Sequence, residues 1–302
     1  MIGARILISG AGGFVVGHIA AGLATLGYKV CALDLTFDAA AEQRLAGCDL
    51  VAVDLASDWV ALPSADILIH GAALTTNPAA LGLTAAQHVA ANMRPLLTML
   101  THAGNLHPNA FVFLSSSGVF AATDGAPDLT DTCTPTAQGP YSAAKRAGEA
   151  LVQGALGDTC QTFTLRLGYI YGPGEAARAT RMKVSLVQGW IDAAGSGETL
   201  QHDATDPRRD LTFAPDLGPA IDRLVRGLGQ AQPIHLCAPN PPRDSEVLAQ
   251  ILRYHPDATR RAVPGSGVKP PMIPSSMPSL DGFAWTTIAD GIAHLCLTEV
   301  SA

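Results

Sequence analysis

The stretch Arg5-Ile-Leu-Ile-Ser-Gly-Ala-Gly-Gly-Phe-Val-Val-Gly17 decides the fold, because it joins a short apolar run to a cluster of glycines. The run from Arg5 to Ser9 predicts a strand buried on both faces. Gly10 and Gly13 allow a tight turn, and residues 15–26 predict a helix. Backbone amides at the start of such a helix can approach a pyrophosphate group.

Short apolar runs and helical stretches continue to alternate up to about residue 170. The strands are expected at residues 28–33, 50–53, 66–70, 110–114 and 162–167, with helices at 85–103 and 141–156. Since parallel strands need crossover connections, usually helical, this order predicts an α/β fold with a doubly wound parallel sheet. Such sheets bind ligands at the carboxyl ends of their strands.

Beyond residue 172 the alternation is looser. Helices are expected at 182–194, 216–228 and 245–254, a short strand at 234–237, and a long loop at 263–278. We therefore expect residues 1–172 to form the NAD-binding domain. Residues 173–302 are expected to form mainly a smaller C-terminal substrate-binding subdomain, interleaved with the last strands of the sheet.

Composition excludes several classes of protein. The 302 residues carry 19 Lys and Arg against 26 Asp and Glu, a net charge of −7, which disfavours a nucleic-acid or polybasic membrane surface. The six cysteines form no CxxC pair and no zinc-ligand spacing, so we expect reduced thiols, no metal and a cytoplasmic location. The apolar stretch 6–28 is interrupted by glycines and is not expected to be a membrane span.

An acidic residue closes the second predicted strand. Asp34 is placed to accept hydrogen bonds from both hydroxyls of an adenosine ribose, and its charge would repel a 2′-phosphate. No Lys or Arg follows until Arg44. The sequence therefore favours NAD over NADP.

A tyrosine and a lysine four residues apart indicate redox chemistry. Tyr141 and Lys145 would share one face of a helix, where the ammonium can lower the pKa of the phenol. Tyr141 could then act as general base on a substrate hydroxyl while hydride leaves the same carbon. Ser116 or Ser117 follows the fifth strand and could polarise the substrate oxygen.

These motifs together resemble those of the extended short-chain dehydrogenases/reductases, the NAD-dependent epimerase/dehydratase family, whose cofactor domain is a Rossmann fold. The resemblance covers nearly the whole chain. Its markers are Gly10-Ala-Gly-Gly-Phe14, Asp34, Asp54-Leu55, His70-Gly-Ala-Ala73, Leu114-Ser-Ser-Ser-Gly-Val119, Tyr141-Ser-Ala-Ala-Lys145, Leu165-Arg-Leu-Gly-Tyr-Ile-Tyr-Gly-Pro-Gly174 and Arg209-Asp-Leu-Thr-Phe213.

The resemblance implies a set of site residues. The catalytic set would be Ser116, Tyr141 and Lys145. The residues implied to bind NAD are Gly10, Gly13, Phe14, Val15, Asp34, Asp54, Leu55, Ala72, Ala73, Asn92, Tyr141 and Lys145. The candidates for substrate binding are Thr75, Ser117, Tyr169, Arg178, Arg181 and Arg209. Arginines there could clamp a carboxylate or phosphate, or simply form structural ion pairs. By analogy with the family we expect a homodimer built on the 85–103 and 141–156 helices.

The chain departs from the family pattern at three places. The family loop is usually Gly-x-x-Gly-x-x-Gly, but Val16 takes the third glycine position and Gly17 follows one residue late. Family dehydratases carry an Asp-Glu pair where this chain has Ser117 and Gly118. Sugar-nucleotide members often have Asn where this chain has Tyr169.

Three hypotheses remain open from the sequence. The first is an NAD-dependent oxidoreductase that removes hydride from a secondary hydroxyl of a sugar, sugar acid or similar small hydroxylated substrate. The alternative is an epimerase of a sugar or nucleotide sugar that retains NAD and passes through a transient keto intermediate. The third is a non-catalytic NAD-sensing protein, which the intact Ser116, Tyr141 and Lys145 disfavour.

Overall fold

A computed structural model describes residues 3–57, 60–178, 181–230, 232–265 and 267–299. Its main sheet is built from seven strands. They are β1 (Arg5–Ser9), β2 (Lys29–Asp34), β3 (Asp49–Ala52), β4 (Ile67–His70), β5 (Ala110–Ser116), β6 (Gln161–Leu167) and one later strand, Ile234–Leu236, numbered β10 below. Helices of this half are α1 (Phe14–Thr25), α2 (Ala39–Arg44), α3 (Ala85–Leu106) and α4 (Pro140–Leu156).

The sheet is parallel throughout and has the order β10-β6-β5-β4-β1-β2-β3. Helices cover both faces, because the strands are apolar on both sides and each face must be buried. One core lies where α1 packs on the sheet, and a second lies where α3 and α4 pack on the other face. The doubly wound parallel fold predicted from the sequence is confirmed.

Most of the remaining elements pack around a core of their own. The remaining strands are β7 (Tyr169–Tyr171), β8 (Leu200–Asp203), β9 (Leu211–Phe213) and β11 (Arg260–Val263), and the remaining helices are α5 (Leu186–Ser196), α6 (Leu217–Arg226), α7 (Asp244–Leu252) and α8 (Ile288–Glu299). β7 pairs with β9 and β8 with β11, both in parallel. β10 returns to the main sheet beside β6, and α6 packs on α1. The domain boundary near residue 172 stays a prediction.

Several elements differ from the sequence expectation. The helix expected from residue 182 begins at Leu186, because the Ser185 hydroxyl accepts the amide of Gln188 and caps it there. The short helix α2 was not expected; the Asp38 carboxylate caps it by accepting the amide of Ala41 at 2.8 Å. Among the described residues, no helix combines the length and the apolar character needed to cross a membrane.

Candidate active site

Polar side chains follow neighbouring strands at one edge of the sheet. Ser9, Asp34, His70 and Ser116 end β1, β2, β4 and β5, which are adjacent in the order β5-β4-β1-β2. The Ser9 hydroxyl and His70 Nδ1 are hydrogen-bonded at 2.8 Å, and both side chains are buried. Because these strands are neighbours, their ends bring the glycine turn, Asp34 and the serines together along one edge of the sheet, as expected for this fold.

The glycine turn is shaped by close backbone approaches. Gly10 has φ +86°, and a Cβ there would lie 2.6 Å from the amide nitrogen of Ala72. A Cβ on Gly12 would lie 2.6 Å from Thr36 O. Gly13 caps α1 without a side chain, so the first amides of the helix, those of Phe14 and Val15, are left for an anion. This cradle fits a pyrophosphate.

Asp34 is fixed beside this cradle. Its Oδ2 accepts the amide of Gly12 at 2.8 Å and its Oδ1 the amide of Leu35 at 2.7 Å. Burial raises the pKa of the carboxyl, while these amides and the charge of Arg178 oppose the rise. Each carboxylate oxygen can accept a further hydrogen bond, so Asp34 fits the ribose hydroxyls of NAD.

The other predicted cofactor residues lie around the same edge. Leu55 is buried and Asp54 accepts the amide of Ala56 at 2.8 Å. Asn92, on α3, accepts the amide of Leu74 at 2.9 Å and donates to Leu74 O at 3.3 Å. Asn92 thus holds the chain just after Ala72 and Ala73, rather than adding a free amide to the cleft. Its predicted contact with cofactor stays a prediction.

The structure brings together the three residues predicted to be catalytic. Ser116 ends β5, Tyr141 lies in the first turn of α4 and Lys145 lies one turn later. Lys145 Nζ donates to Leu114 O at 2.7 Å and lies 5.8 Å from the centroid of the Tyr141 ring. Gly118 makes room for this group, since a Cβ there would lie 3.2 Å from Ser116 Oγ and 3.3 Å from Tyr141 Cε1.

Burial dominates the ionisation of these groups in the protein alone. It raises the pKa of the Tyr141 phenol, and the hydrogen bond with Ser116 opposes the rise. Burial also lowers the pKa of Lys145 to about 8, while Glu149 opposes that change. In the protein alone the pKa of Tyr141 is set by burial and by Ser116, so the lowering by Lys145 that the sequence predicts stays a proposal for the cofactor-loaded protein.

Tyr169 lies against the cationic side chains of Arg209 and Lys269, a group called the cationic corner below, although Asp244 and Asp210 are the respective counter-charges of the two cations. Arg209 lies 5.8 Å from the Tyr169 ring centroid, and Nζ of Lys269 lies 5.2 Å from it. Arg209 also pairs with the buried Asp244, through Nε–Oδ1 at 2.5 Å and Nη2–Oδ2 at 2.8 Å. Lys269 was missed from the sequence, because it lies in an aperiodic proline-rich loop that carries no local signal.

Arg178 and Arg181 lie on the cofactor side of the cleft. Arg178 donates to Gly12 O and pairs with Asp38 at 2.5 Å. Arg181 pairs with Glu175 at 2.5 Å, and its guanidinium stacks 5.3 Å from the Phe14 ring. Both residues therefore make intramolecular contacts beside the glycine turn, and their role toward substrate stays a prediction.

Thr75 and Ser117 occupy different environments. Thr75 is exposed just after β4, where it can meet a ligand. Ser117 is 4% exposed and begins the single turn of 3-10 helix after Ser116. Ser116 is therefore the more accessible of the two hydroxyls predicted to polarise a substrate oxygen.

Solved structures of similar fold span the chain almost completely. UDP-N-acetylglucosamine 4-epimerase from Methanobrevibacter ruminantium M1, in complex with UDP-N-acetylmuramic acid, is 17% identical and matches 100% of this chain and 99% of that chain with a TM-score of 0.83. UDP-glucuronic acid 4-epimerase from Bacillus cereus, in complex with UDP-glucuronic acid and NAD, is 16% identical over 98% and 99%, with a TM-score of 0.80.

A dehydratase has the same fold. The NAD-dependent NDP-hexosamine 5,6-dehydratase TunA of tunicamycin biosynthesis is 19% identical over 99% of this chain and 98% of that chain, with a TM-score of 0.80. At these identities the likeness establishes the fold alone. Comparison with curated protein sequences finds no match.

The family model for the NAD dependent epimerase/dehydratase family matches residues 6–235, which includes the glycine turn and the Tyr141–Lys145 pair. This match covers most of the chain and confirms the resemblance drawn from the motifs. The chain belongs to the NAD-dependent epimerase/dehydratase family, and NAD is its cofactor.

Proposed function

We propose that the protein is an NAD-dependent oxidoreductase of the extended short-chain dehydrogenase/reductase kind that removes hydride from a secondary hydroxyl of a sugar, sugar acid or similar small hydroxylated substrate. The observation that carries this proposal is the convergence of Ser116, Tyr141 and Lys145 beside the glycine turn and Asp34. NAD supplies the hydride acceptor when bound. The chain's own residues bind the substrate and move the proton.

Proton removal falls to Tyr141. The phenolate takes the hydroxyl proton as the carbon–oxygen bond gains double-bond character, and the hydride leaves from the same carbon. Ser116 Oγ donates to the substrate oxygen and Lys145 stabilises the phenolate by its charge. Because burial raises the pKa of Tyr141 in the protein alone, the positive charge of bound NAD is also needed to favour the phenolate.

The cationic corner supports a polar substrate. Tyr169 lies two residues beyond Leu167, which is the register partner of Ser116, so the corner lies roughly 7 Å along the chain from the reacting end of the cleft. Donors of Arg209 and Lys269 beside Tyr169 suit the hydroxyls or the carboxylate of a sugar-sized molecule. Ser117 and Gly118 stand where family dehydratases carry an Asp-Glu pair, which argues against elimination of water.

The alternative is an epimerase of a sugar or nucleotide sugar that keeps its NAD through the cycle. Two observations favour it: the fold is shared with nucleotide-sugar epimerases, and the 173–178 segment contacts the glycine turn and α1. In this reading the same groups act twice: they remove the hydroxyl proton as hydride leaves the carbon, and they return the proton as hydride is added back to the opposite face of the keto intermediate.

The test is turnover on a panel of sugars, sugar acids and UDP-sugars, with NADH absorbance and product configuration measured together. Net NADH indicates the dehydrogenase, and inverted product without NADH indicates the epimerase. Tyr141→Phe should lower either activity by at least about 1,000-fold while NAD still binds, since only the proton acceptor is lost. Unchanged turnover in that variant removes Tyr141 from the mechanism.

A further inference from the structure

A third ionisable residue continues the line of Tyr141 and Lys145 along α4. Glu149 lies one turn after Lys145, so the three side chains share one face of the helix at a spacing of four residues. The carboxylate is about nine-tenths buried, and Lys145 is 5% exposed. Lys145 Nζ bonds to Leu114 O and Glu149 bonds to the hydroxyl of Ser115, the next residue of β5, so the acid and the ammonium are buried near each other.

Two neighbouring strands hold the Glu149 carboxylate in place. Arg166 donates from Nε to Oε1 at 2.9 Å and from Nη2 to Oε2 at 2.8 Å. The Ser115 hydroxyl donates to Oε1 at 2.6 Å. Ser115 and Arg166 are register partners on β5 and β6, so the sheet itself sets the position of the acid. The guanidinium of Arg166 also lies 5.0 Å from the centroid of the Phe120 ring, and this contact helps to hold its orientation.

The surroundings of Lys145 leave Glu149 as the negative charge that acts on it. Burial lowers the pKa of Lys145 to about 8, and Glu149 is the group that raises it. His70, on β4, stacks on the same Phe113 ring that Lys145 lies over, and burial lowers the pKa of His70 to about 3, so its ring is neutral. Arg166, bound to the same carboxylate, is the further charge considered among the described residues, and by its sign it would oppose the effect of Glu149 on Lys145.

Charge therefore alternates along this row of side chains: the guanidinium of Arg166 is positive, the carboxylate of Glu149 is negative and the ammonium of Lys145 is positive. The phenol of Tyr141 is the last group in the row. An ion pair that served only the fold would need only Arg166 and Glu149. Replacing such a buried pair by apolar groups of matched volume is often neutral for stability or even stabilising. This row of side chains extends beyond the ion pair to Tyr141, the residue with the predicted proton-transfer role.

We propose that Glu149 is a positioning residue that keeps Lys145 protonated and, through Lys145, favours the phenolate of Tyr141. The effect on Tyr141 rests on the proposed function, whereas the effect on Lys145 does not. Glu149 acts through Lys145 and contacts neither substrate nor cofactor in this scheme.

The test follows the lysines directly by NMR in NAD-free protein. The chain has four lysines, Lys29, Lys145, Lys183 and Lys269, so their labelled side-chain signals can be resolved and assigned with single Lys→Gln variants. Lys269 is an internal control, because burial also lowers its pKa to about 8 but its counter-charge is Asp210. Glu149→Gln should lower the titration midpoint of Lys145 by about one unit or more and leave Lys269 unmoved.

Removal of the acid leaves Arg166 buried without a partner, which can impair folding. The paired variant Glu149→Gln/Arg166→Gln removes both charges, and we expect the same direction of shift, reduced in size. Gln153→Ala is the matched control one turn further along α4, where Gln153 accepts a hydrogen bond from Thr162 at 3.1 Å. It should leave Lys145 unchanged.

An unmoved Lys145 midpoint in the folded acid-free variant overturns the proposal, as does an equal shift of Lys145 and Lys269. If Lys145 shifts but no substrate is turned over by the parent protein, the proposed function fails and the link between Glu149 and Lys145 stands. If activity is found, the alkaline shift of its pH profile in Glu149→Gln reports the link to Tyr141; a superimposable profile refutes that part.

Discussion

Val16 and Gly71 share a single space beneath the glycine turn. A Cβ on Gly71 would lie 2.6 Å from Cγ2 of Val16 and 2.8 Å from Cδ1 of Leu114. Val16 is 7% exposed and stands where the family pattern has its third glycine. A glycine in place of Val16 would leave space on the α1 side of this contact. In this chain Gly71, the residue that follows β4, leaves that space instead.

This relationship predicts strong coupling between the two positions. Gly71→Ala should lower the free energy of unfolding by about 1–3 kcal/mol, because the added methyl overpacks the contact. Val16→Ala alone should also destabilise, by opening a cavity. The double variant should lose less than the sum of the two, with a coupling of about 0.5–3 kcal/mol in urea titrations.

Gly195→Ala is the control for the glycine substitution itself. Gly195 lies exposed in α5, and a Cβ there meets nothing within 4 Å, so the change should stabilise slightly. Additive losses for Val16 and Gly71 would contradict the shared-space interpretation.

The contact of Arg178 with the glycine turn predicts an effect on cofactor exchange. Arg178 donates to Gly12 O and pairs with Asp38, and the same segment accepts from His18 at Pro173 O and from Arg44 at Gly174 O. Arg178→Met should raise the rate constant of NAD dissociation about 10-fold, because an ion pair and a hydrogen bond that hold this segment are lost. Stopped-flow displacement of NAD measures it.

Arg208→Met is the matched control for Arg178. Arg208 pairs with Asp128 at the same 2.5 Å and with similar arginine exposure, but it contacts neither the glycine turn nor α1 among the described contacts. Its loss should leave NAD exchange unchanged. Equal rates of NAD dissociation in both variants would contradict a role of Arg178 in cofactor exchange. The role toward substrate predicted from the sequence would then be the one left to test.

Two exposed leucines lie on the helix pair expected to form a dimer. Leu97 on α3 is 48% exposed and Leu151 on α4 is 38% exposed, and α3 packs on α4. If this pair forms a four-helix interface, Leu97→Asp with Leu151→Asp should weaken self-association at least about 10-fold, because charges are then buried at its centre. Sedimentation velocity across a concentration series measures the change.

Leu228→Asp serves as the control for added surface charge, since Leu228 is 80% exposed and lies after α6. It should leave the association unchanged. A monomer in the parent protein at all concentrations would refute the expected homodimer.

The sequence predicted the parts of the site that are local in the chain. Gly10, Asp34 and Ser116 were identified because each follows an apolar run, and the ends of parallel strands meet at one edge. The strand Tyr169–Tyr171 was not predicted, because a run of three residues carries little periodicity, although Ile234–Leu236, of the same length, was predicted.

Contacts between distant segments could not be predicted. Gly17 was noted as one residue late, and a Cβ there would lie 3.0 Å from the backbone oxygen of Ala11 and 3.0 Å from Nη1 of Arg44, a neighbour from a distant segment. Lys269 and Arg178 likewise gain their neighbours through long loops. Such pairings depend on tertiary packing, which no spacing rule along the chain encodes.

The last prediction concerns acid stability and a histidine on α1. His18 Nε2 donates to Pro173 O at 2.9 Å, and burial lowers the pKa of His18 to about 4, helped by the charges of Arg44 and His294. In the unfolded chain His18 therefore takes up a proton at about pH 6.5, whereas in the folded chain it takes one up only at about pH 4. Stability is full above pH 6.5 and is lost as the pH falls toward 4, by about 3 kcal/mol from this residue.

His18→Gln keeps an N–H donor for Pro173 O but does not titrate. Urea unfolding at pH 7 and at pH 4.5 should show a smaller loss in this variant than in the parent, by about 2–3 kcal/mol. His102→Gln is the matched control, since His102 makes the same kind of hydrogen bond, to Pro63 O at 3.1 Å, but lies on α3 rather than α1. The loss of stability between pH 7 and pH 4.5 in this control should match the parent's. Equal losses in His18→Gln and the parent would mean that His18 is not held neutral by the fold.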